Sequence, residues 1–166
     1  MLQTIARDVK VQVEFDPEQV ARYRLVGYEN RDVADEDFRD DTVDGGEIGA
    51  GHSVTAIYDV VFRRLELAPI VVRVRSKAID TDAVAETEAA LGAWQIAARY
   101  ADASDSFRLA ATVAGFAESL RGSAHGARLR LADLEREATS LAGDDPDRGE
   151  LAQLIAQARA LRGGGT

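Results

Sequence analysis

The sequence predicts an α+β fold, with an antiparallel β-sheet or small sandwich in the N-terminal part and about three C-terminal α-helices packed on it. Two observations carry this. In the first half apolar residues alternate with polar ones, and from Ser104 onwards they recur at three- and four-residue steps. A period of two belongs to strands and one near 3.6 to helices, and strands first with helices last is an α+β order.

The elements follow in chain order. Val9, Val11, Val13 and Phe15 alternate with Lys10, Gln12 and Glu14, a strand with one wet face. Asp16-Pro17-Glu18 reads as a turn because proline fixes φ, and the extended run Tyr23 to Tyr28 is expected to close a hairpin with the first strand. His52 to Phe62 is a longer strand rich in β-branched and aromatic residues. Ile70 to Arg75 alternates again, and Val84 to Leu91 reads as an alanine-rich strand, although alanine and glutamate also suit a helix. The first helix places Leu109, Val113, Phe116 and Leu120 on one face and ends at Gly122. A second carries Leu131, Leu134, Ala138 and Leu141 and stops at Gly143. The third has the clearest start, with Asp145 as N-cap, Pro146 at the first helical position and Asp147 in the first turn. Its apolar face is Leu151, Leu154, Ile155, Ala158 and Leu161, and glycines 163–165 end it. One domain over residues 1–166 is expected: mainly β over 8–100, an acidic loop at 32–51, helical over 104–162.

Composition narrows the function classes. A chain of 166 residues is long enough for one core and short for two. With no cysteine, disulfides, thiolate zinc sites and cysteine nucleophiles are excluded, and two histidines, His52 and His125, cannot make a histidine-rich metal centre. A formal charge of −9 argues against nucleic acid and anionic membranes as partners. No run of about twenty apolar residues exists, so no direct membrane insertion is expected, and Met1 is not followed by a signal-like segment.

The charge is concentrated. From Asp32 to Glu47 eight acids stand against one base, Arg39, so this segment alone carries −7 of the total −9. It runs into Gly45-Gly46-Glu47-Ile48-Gly49-Ala50-Gly51. A solvated negative loop is the commoner explanation of such a run. The alternatives are a basic protein partner, or calcium or magnesium held by Asp37, Asp40, Asp41, Asp44 and Glu47, since hard cations take clustered carboxylates. The spacing does not fit an EF-hand, because Arg39, Thr42 or Val43 falls where an acid is needed. The glycine-rich run contains no lysine or arginine and has acids on its flank, so a turn between strands is favoured over a phosphate cradle.

Other constellations have plain explanations. Asp102-Ala103-Ser104-Asp105-Ser106 matches the Asp-x-Ser-x-Ser metal motif of von Willebrand factor type A domains. The residues before it make a poor buried strand, about sixty residues follow, and Ser104 or Asp105 as a helix N-cap accounts for the same letters. His52 with Ser53, Thr55 and Asp59 is no nucleophile elbow, and a hydrogen-bonded structural histidine is the simpler reading. His125 falls in an interhelical turn, and Trp94 and Tyr100 read as core or edge aromatics rather than a ligand platform. No catalytic constellation remains, so the chain is expected not to be an enzyme and to need no cofactor.

The runs "VQVEFDPEQVARYRLVGYENR" and "EDFRDDTVDGGEIGAGHSVTAIYDVV" closely resemble the C-terminal region of a family of bacterial von Willebrand factor type A domain proteins, where that region directly follows the type A domain. "LQTIARDVKVQVEF" resembles the end of that domain's last helix (residues 1–6) running into the first strand, and "DSFRLAATVAGFAESLRG" is similar to a later helix of the family. The resemblance covers residues 4–62 most strongly and 105–162 less so, and residues 65–104 depart from it. It implies that the chain is cut from the C-terminal side of a larger protein, Met1 being an artificial start. It also implies a preceding type A domain as partner and an envelope or extracytoplasmic location.

The expected role is therefore a non-catalytic accessory domain that contacts the type A domain and a further protein. Tyr28, Glu29, Asn30, Arg31, Asp40, Asp41, Glu47, Gly49, Gly51 and His52 form the expected contact surface. If the sheet normally takes strands from upstream, an exposed edge and self-pairing into a homo-oligomer follow.

Overall fold

A computed structural model describes residues 3–27, 38–40, 42–43, 45–66 and 68–163. The chain divides into two compact units, Met1–Ile96 and Ala97–Thr166. The first holds the strands β1 (Thr4–Phe15), β2 (Val20–Leu25), β3 (Gly46–Gly49), β4 (Tyr58–Phe62), β5 (Ile70–Lys77) and β6 (Val84–Leu91). The second holds the helices α1 (Asp105–Arg121), α2 (Leu131–Ala142) and α3 (Pro146–Gly163). The chain is thus α+β, with antiparallel sheets N-terminal and three helices C-terminal.

A four-stranded antiparallel sheet runs in the order β3–β1–β5–β6, and a separate two-stranded ribbon pairs β2 with β4. The expected β1–β2 hairpin does not form. The Asp16 carboxylate accepts bonds from the Glu18 N–H (2.9 Å) and from Gln19 Nε2 (2.6 Å), making the turn. The Gln19 carbonyl then accepts from Arg63 N–H (2.7 Å) and its Oε1 from Glu66 N–H (2.9 Å). This buried glutamine thereby ties the start of β2 to the chain following β4, and β2 leaves with β4 as its partner. Phe15 stacks on Tyr23 at 4.0 Å and meets Tyr58 edge-on at 5.3 Å, which half-buries it against the ribbon.

Three further strand boundaries differ from expectation. β1 already begins at Thr4, so residues 4–6 are strand rather than the tail of a helix. The strand expected from His52 starts only at Tyr58, because Leu25, opposite Tyr58, ends the ladder offered by β2. The glycine-rich run holds a short strand, β3, where a turn was expected. Val84 to Leu91 is the expected strand and lies exposed at the sheet's edge.

In the helical unit the caps read from sequence are present. Ser104 Oγ accepts from Phe107 N–H (3.3 Å), Gly122 adopts φ 71° after α1, and Asp145 Oδ1 accepts from Asp147 and Arg148 N–H (3.0 and 3.3 Å). Leu131, Ala138 and Ile155 form the core, with Phe116, Leu134, Leu151, Ala152 and Ala158 packed round it. The expected stripe on α1 is only partly inward. Thr112, Glu118 and Ser119 are buried while Val113 and Leu120 face out, as do Leu154 and Leu161 of α3. Polar contacts explain the rotation of α1: Arg108 Nε donates to Glu137 (2.7 Å), and Arg162 donates to both the Ser119 hydroxyl (2.9 Å) and its carbonyl (2.6 Å). Gly126 packs so tightly that a Cβ there would lie 2.1 Å from the Glu118 carbonyl oxygen.

Candidate contact surface

The β unit gathers its chemistry on one face of the long sheet. Register places Lys10 opposite Arg75 and Gln12 opposite Arg73, and on the far strand Arg75 meets Glu86 and Arg73 meets Glu88. The expected wet face is therefore partly covered. Lys10 is 4% exposed and Arg75 6%, whereas Val11 on the opposite face is 58% exposed.

Asp8 causes this arrangement. Its φ of 51° makes a bulge between Arg7 and Lys10, in a left-handed conformation that aspartate tolerates better than most residues. The extra residue sends its carboxylate into the cationic row, 2.8 Å from Lys77 Nζ, 3.5 Å from Lys10 Nζ and 3.8 Å from Arg75 Nη1. It also accepts a bond from Gly45 N–H at 2.9 Å. The hydrogen bond from Lys77 outweighs burial and, with Gly45 and Lys10, holds this carboxyl below its ordinary pKa. Gly45 has no alternative here, because a Cβ would lie 2.7 Å from the Asp8 carbonyl carbon.

Part of the acidic segment lies on this face. Phe38 is buried, Arg39 Nη2 donates to Glu86 (2.8 Å), and Lys10 Nζ donates to the Asp40 carbonyl (2.5 Å). The bond from Arg39 lowers the Glu86 pKa. Arg73 bridges Glu14 (2.6 Å) and Glu88 (2.7 Å) across three strands. The opposite face is apolar and open at its centre, where Val11 lies directly opposite Val74, itself 38% exposed, with Val13, Val72, Thr87 and Ala89 around them.

Only part of the set singled out from sequence lies among the described residues. Tyr28, Glu29, Asn30, Arg31, Asp37, Asp41 and Asp44 lie outside the described residues. The Asp40 carboxylate accepts from both the N–H and the hydroxyl of Thr42 (2.8 and 2.7 Å), a turn of its own. Glu47 and Gly49 fall in β3, Gly51 takes φ 77° in the turn after it, and His52 is exposed, its N–H donating to the Gly49 carbonyl (3.1 Å). Asp59 is held by Arg24 (2.6 Å) rather than by His52. Among the described residues no three acids or histidines converge as a metal site. Trp94, expected as a core or edge aromatic, is almost fully exposed. Ser104 caps α1 and Asp102 pairs with Arg99 (2.8 Å), which accounts for the Asp-x-Ser-x-Ser letters. A shallow depression of about 500 Å³ between α2 and α3 is crossed by the Arg159–Glu135 pair, and its Thr139 and Ser140 hydroxyls donate to helix carbonyls. Sequence reasoning missed Asp8, Lys10 and Arg75, and only an acid breaking the alternation just before β1's clean period signalled them.

These features define an α+β chain whose candidate site is a sheet face and edge. The chain belongs to the family described as "Uncharacterized protein YfbK, C-terminal", which matches over residues 1–69 and 63–161. It is similar to "Uncharacterized protein YfbK" of Escherichia coli (strain K12), 30% identical over 177 residues that cover 93% of this chain and 30% of that protein. The chain therefore spans about 30% of the length of the relative it matches. No solved structure matches it.

Proposed function

We propose that this chain is a non-catalytic accessory domain that contacts a neighbouring domain through the apolar face of its long sheet. The observation that carries the reading is the open centre of that face, Val11 beside Val74, in a protein that covers Lys10 and Arg75 instead. Contiguous exposed apolar surface on a folded domain marks an interaction site. The resemblance read from the sequence supplies the neighbour, a von Willebrand factor type A domain placed directly before this region, and with it the envelope location. The test is calorimetric titration of the chain with the type A domain of the same parent. Micromolar binding that falls at least about tenfold in Val11→Glu is expected. No heat of binding, or binding unchanged in Val11→Glu, would refute it. The cation alternative at Asp37, Asp40, Asp41, Asp44 and Glu47 requires calcium or magnesium to raise the melting temperature over chelator.

A further inference from the structure

Among the described residues nothing pairs with the outer edge of β6. β6 terminates the sheet, and its eight residues follow β5 in one unbroken register from Val84 opposite Lys77 to Leu91 opposite Ile70. Among the described residues no backbone bond reaches its far side. Edge strands are ordinarily blunted by a bulge, a proline, a lysine or shortness. Val-Ala-Glu-Thr-Glu-Ala-Ala-Leu has none of these, and its one protective feature is the charge of Glu86 and Glu88, which repels acidic strands and not basic ones. The opposite edge, β3, is protected, being four residues long with an irregular register.

The charges on β6 say what kind of strand fits. Glu86 and Glu88 project on one face, held from behind by Arg39 (2.8 Å) and Arg73 (2.7 Å), and the Glu88 side chain keeps 57% of its surface exposed. The other face offers Ala85, Thr87, Ala89 and Leu91, the first three small and exposed. A second copy fits poorly. Antiparallel pairing centred on Thr87 sets Glu86 against Glu88 of the other copy twice, and a two-residue slip sets Glu86 on Glu86 or Glu88 on Glu88. Like charges directly opposite destabilise a ladder.

We propose that β6 is a docking edge for an extended partner segment carrying lysine or arginine at alternate positions, with small or apolar residues between. The partner adds to the sheet beside β6, its backbone completing the ladder and its basic side chains meeting Glu86 and Glu88. The proposal rests on the contact reading above and names the chemistry of a partner for it.

The test follows backbone amides of the isotopically labelled full chain by NMR. It adds an eight-residue peptide alternating lysine and threonine, or a control alternating glutamate and threonine. The lysine peptide is expected to shift β6 amides and slow their exchange, the control to do neither, and Glu88→Lys to weaken binding at least about tenfold. Glu88→Gln, which removes one charge without reversing it, is expected to weaken binding severalfold and guards against a folding defect in Glu88→Lys. Equal responses to both peptides, no β6 response at millimolar peptide, far-side amides already protected in the free chain, or a concentration-dependent dimer protecting β6 would each overturn the proposal. If β6 ignores the lysine peptide while the type A domain still binds the chain, the strand proposal falls alone. If the peptide docks and the type A domain does not bind, the contact reading falls and the edge stands.

Discussion

Asp8 is expected to have a large effect on the stability of the β unit. Its carboxylate sits among Lys10, Arg75 and Lys77, the first two buried. Asp8→Asn keeps a residue that accepts positive φ but removes the charge, and is expected to cost about 3 kcal/mol at neutral pH, read by urea denaturation. Because the folded pKa lies below the ordinary aspartate value, the unfolded chain binds the proton more readily. The stability Asp8 contributes is therefore present above about pH 4 and lost as pH falls through the lowered folded value. Glu86, lowered by Arg39, acts in the same direction. Melting temperature should fall on acidification in the native chain and fall less steeply in Asp8→Asn, and parallel slopes would contradict the assignment. Gly45→Ala, facing the Asp8 backbone at 2.7 Å, should cost about 1–3 kcal/mol by the same denaturation measurement. None of this was legible beforehand. A period of two shows which residues share a face, but not that a bulge will drive an acid among the lysines and close over the polar side.

At the scale of elements, local signals were sufficient where the chain itself supplies the partner. Ser104, Gly122 and Asp145 set helix ends because a cap satisfies backbone groups a few residues away, and Gly143 ends α2 with a positive φ. The alternation of Ile70 to Arg75 and the alanine-rich run at Val84 both became strands. What failed was pairing. The choice of β4 over β1 as the partner of β2 depends on Gln19 reaching Arg63 and Glu66, contacts more than forty residues away that no periodicity encodes. Within the helical unit the third helix shows the same limit, since one face was expected but Ile155 is buried and Leu161 is 82% exposed. Ile155→Ala should therefore cost about 3 kcal/mol, and Leu161→Ala should stay within about 0.5 kcal/mol, both read from helical circular dichroism against urea. Equal losses would mean that the core lies elsewhere.

For the whole molecule, the sequence placed strands before helices correctly and concentrated attention on the acidic segment, where most of the net charge lies. The described part of that segment serves the sheet: Phe38 is buried, Arg39 holds Glu86, and the Asp40 carbonyl takes Lys10. Among the described residues of the long sheet, the apolar face is open at Val11 and Val74, with the edge of β6 beside it. An exposed edge was expected from the sequence, but neither its place at β6 nor the open face was, because exposure of a strand is decided by what packs on it, not by its own letters. The proposed contact function rests on this covered charged face and open apolar face. The most direct measurement of that claim is an NMR map of the labelled chain as the parent's type A domain is added. The account predicts saturable shifts confined to β1, β5 and β6, centred on Val11 and Val74. No shifts at hundred-micromolar partner, or shifts gathered instead at Asp40 to His52 or on the helices, would contradict it.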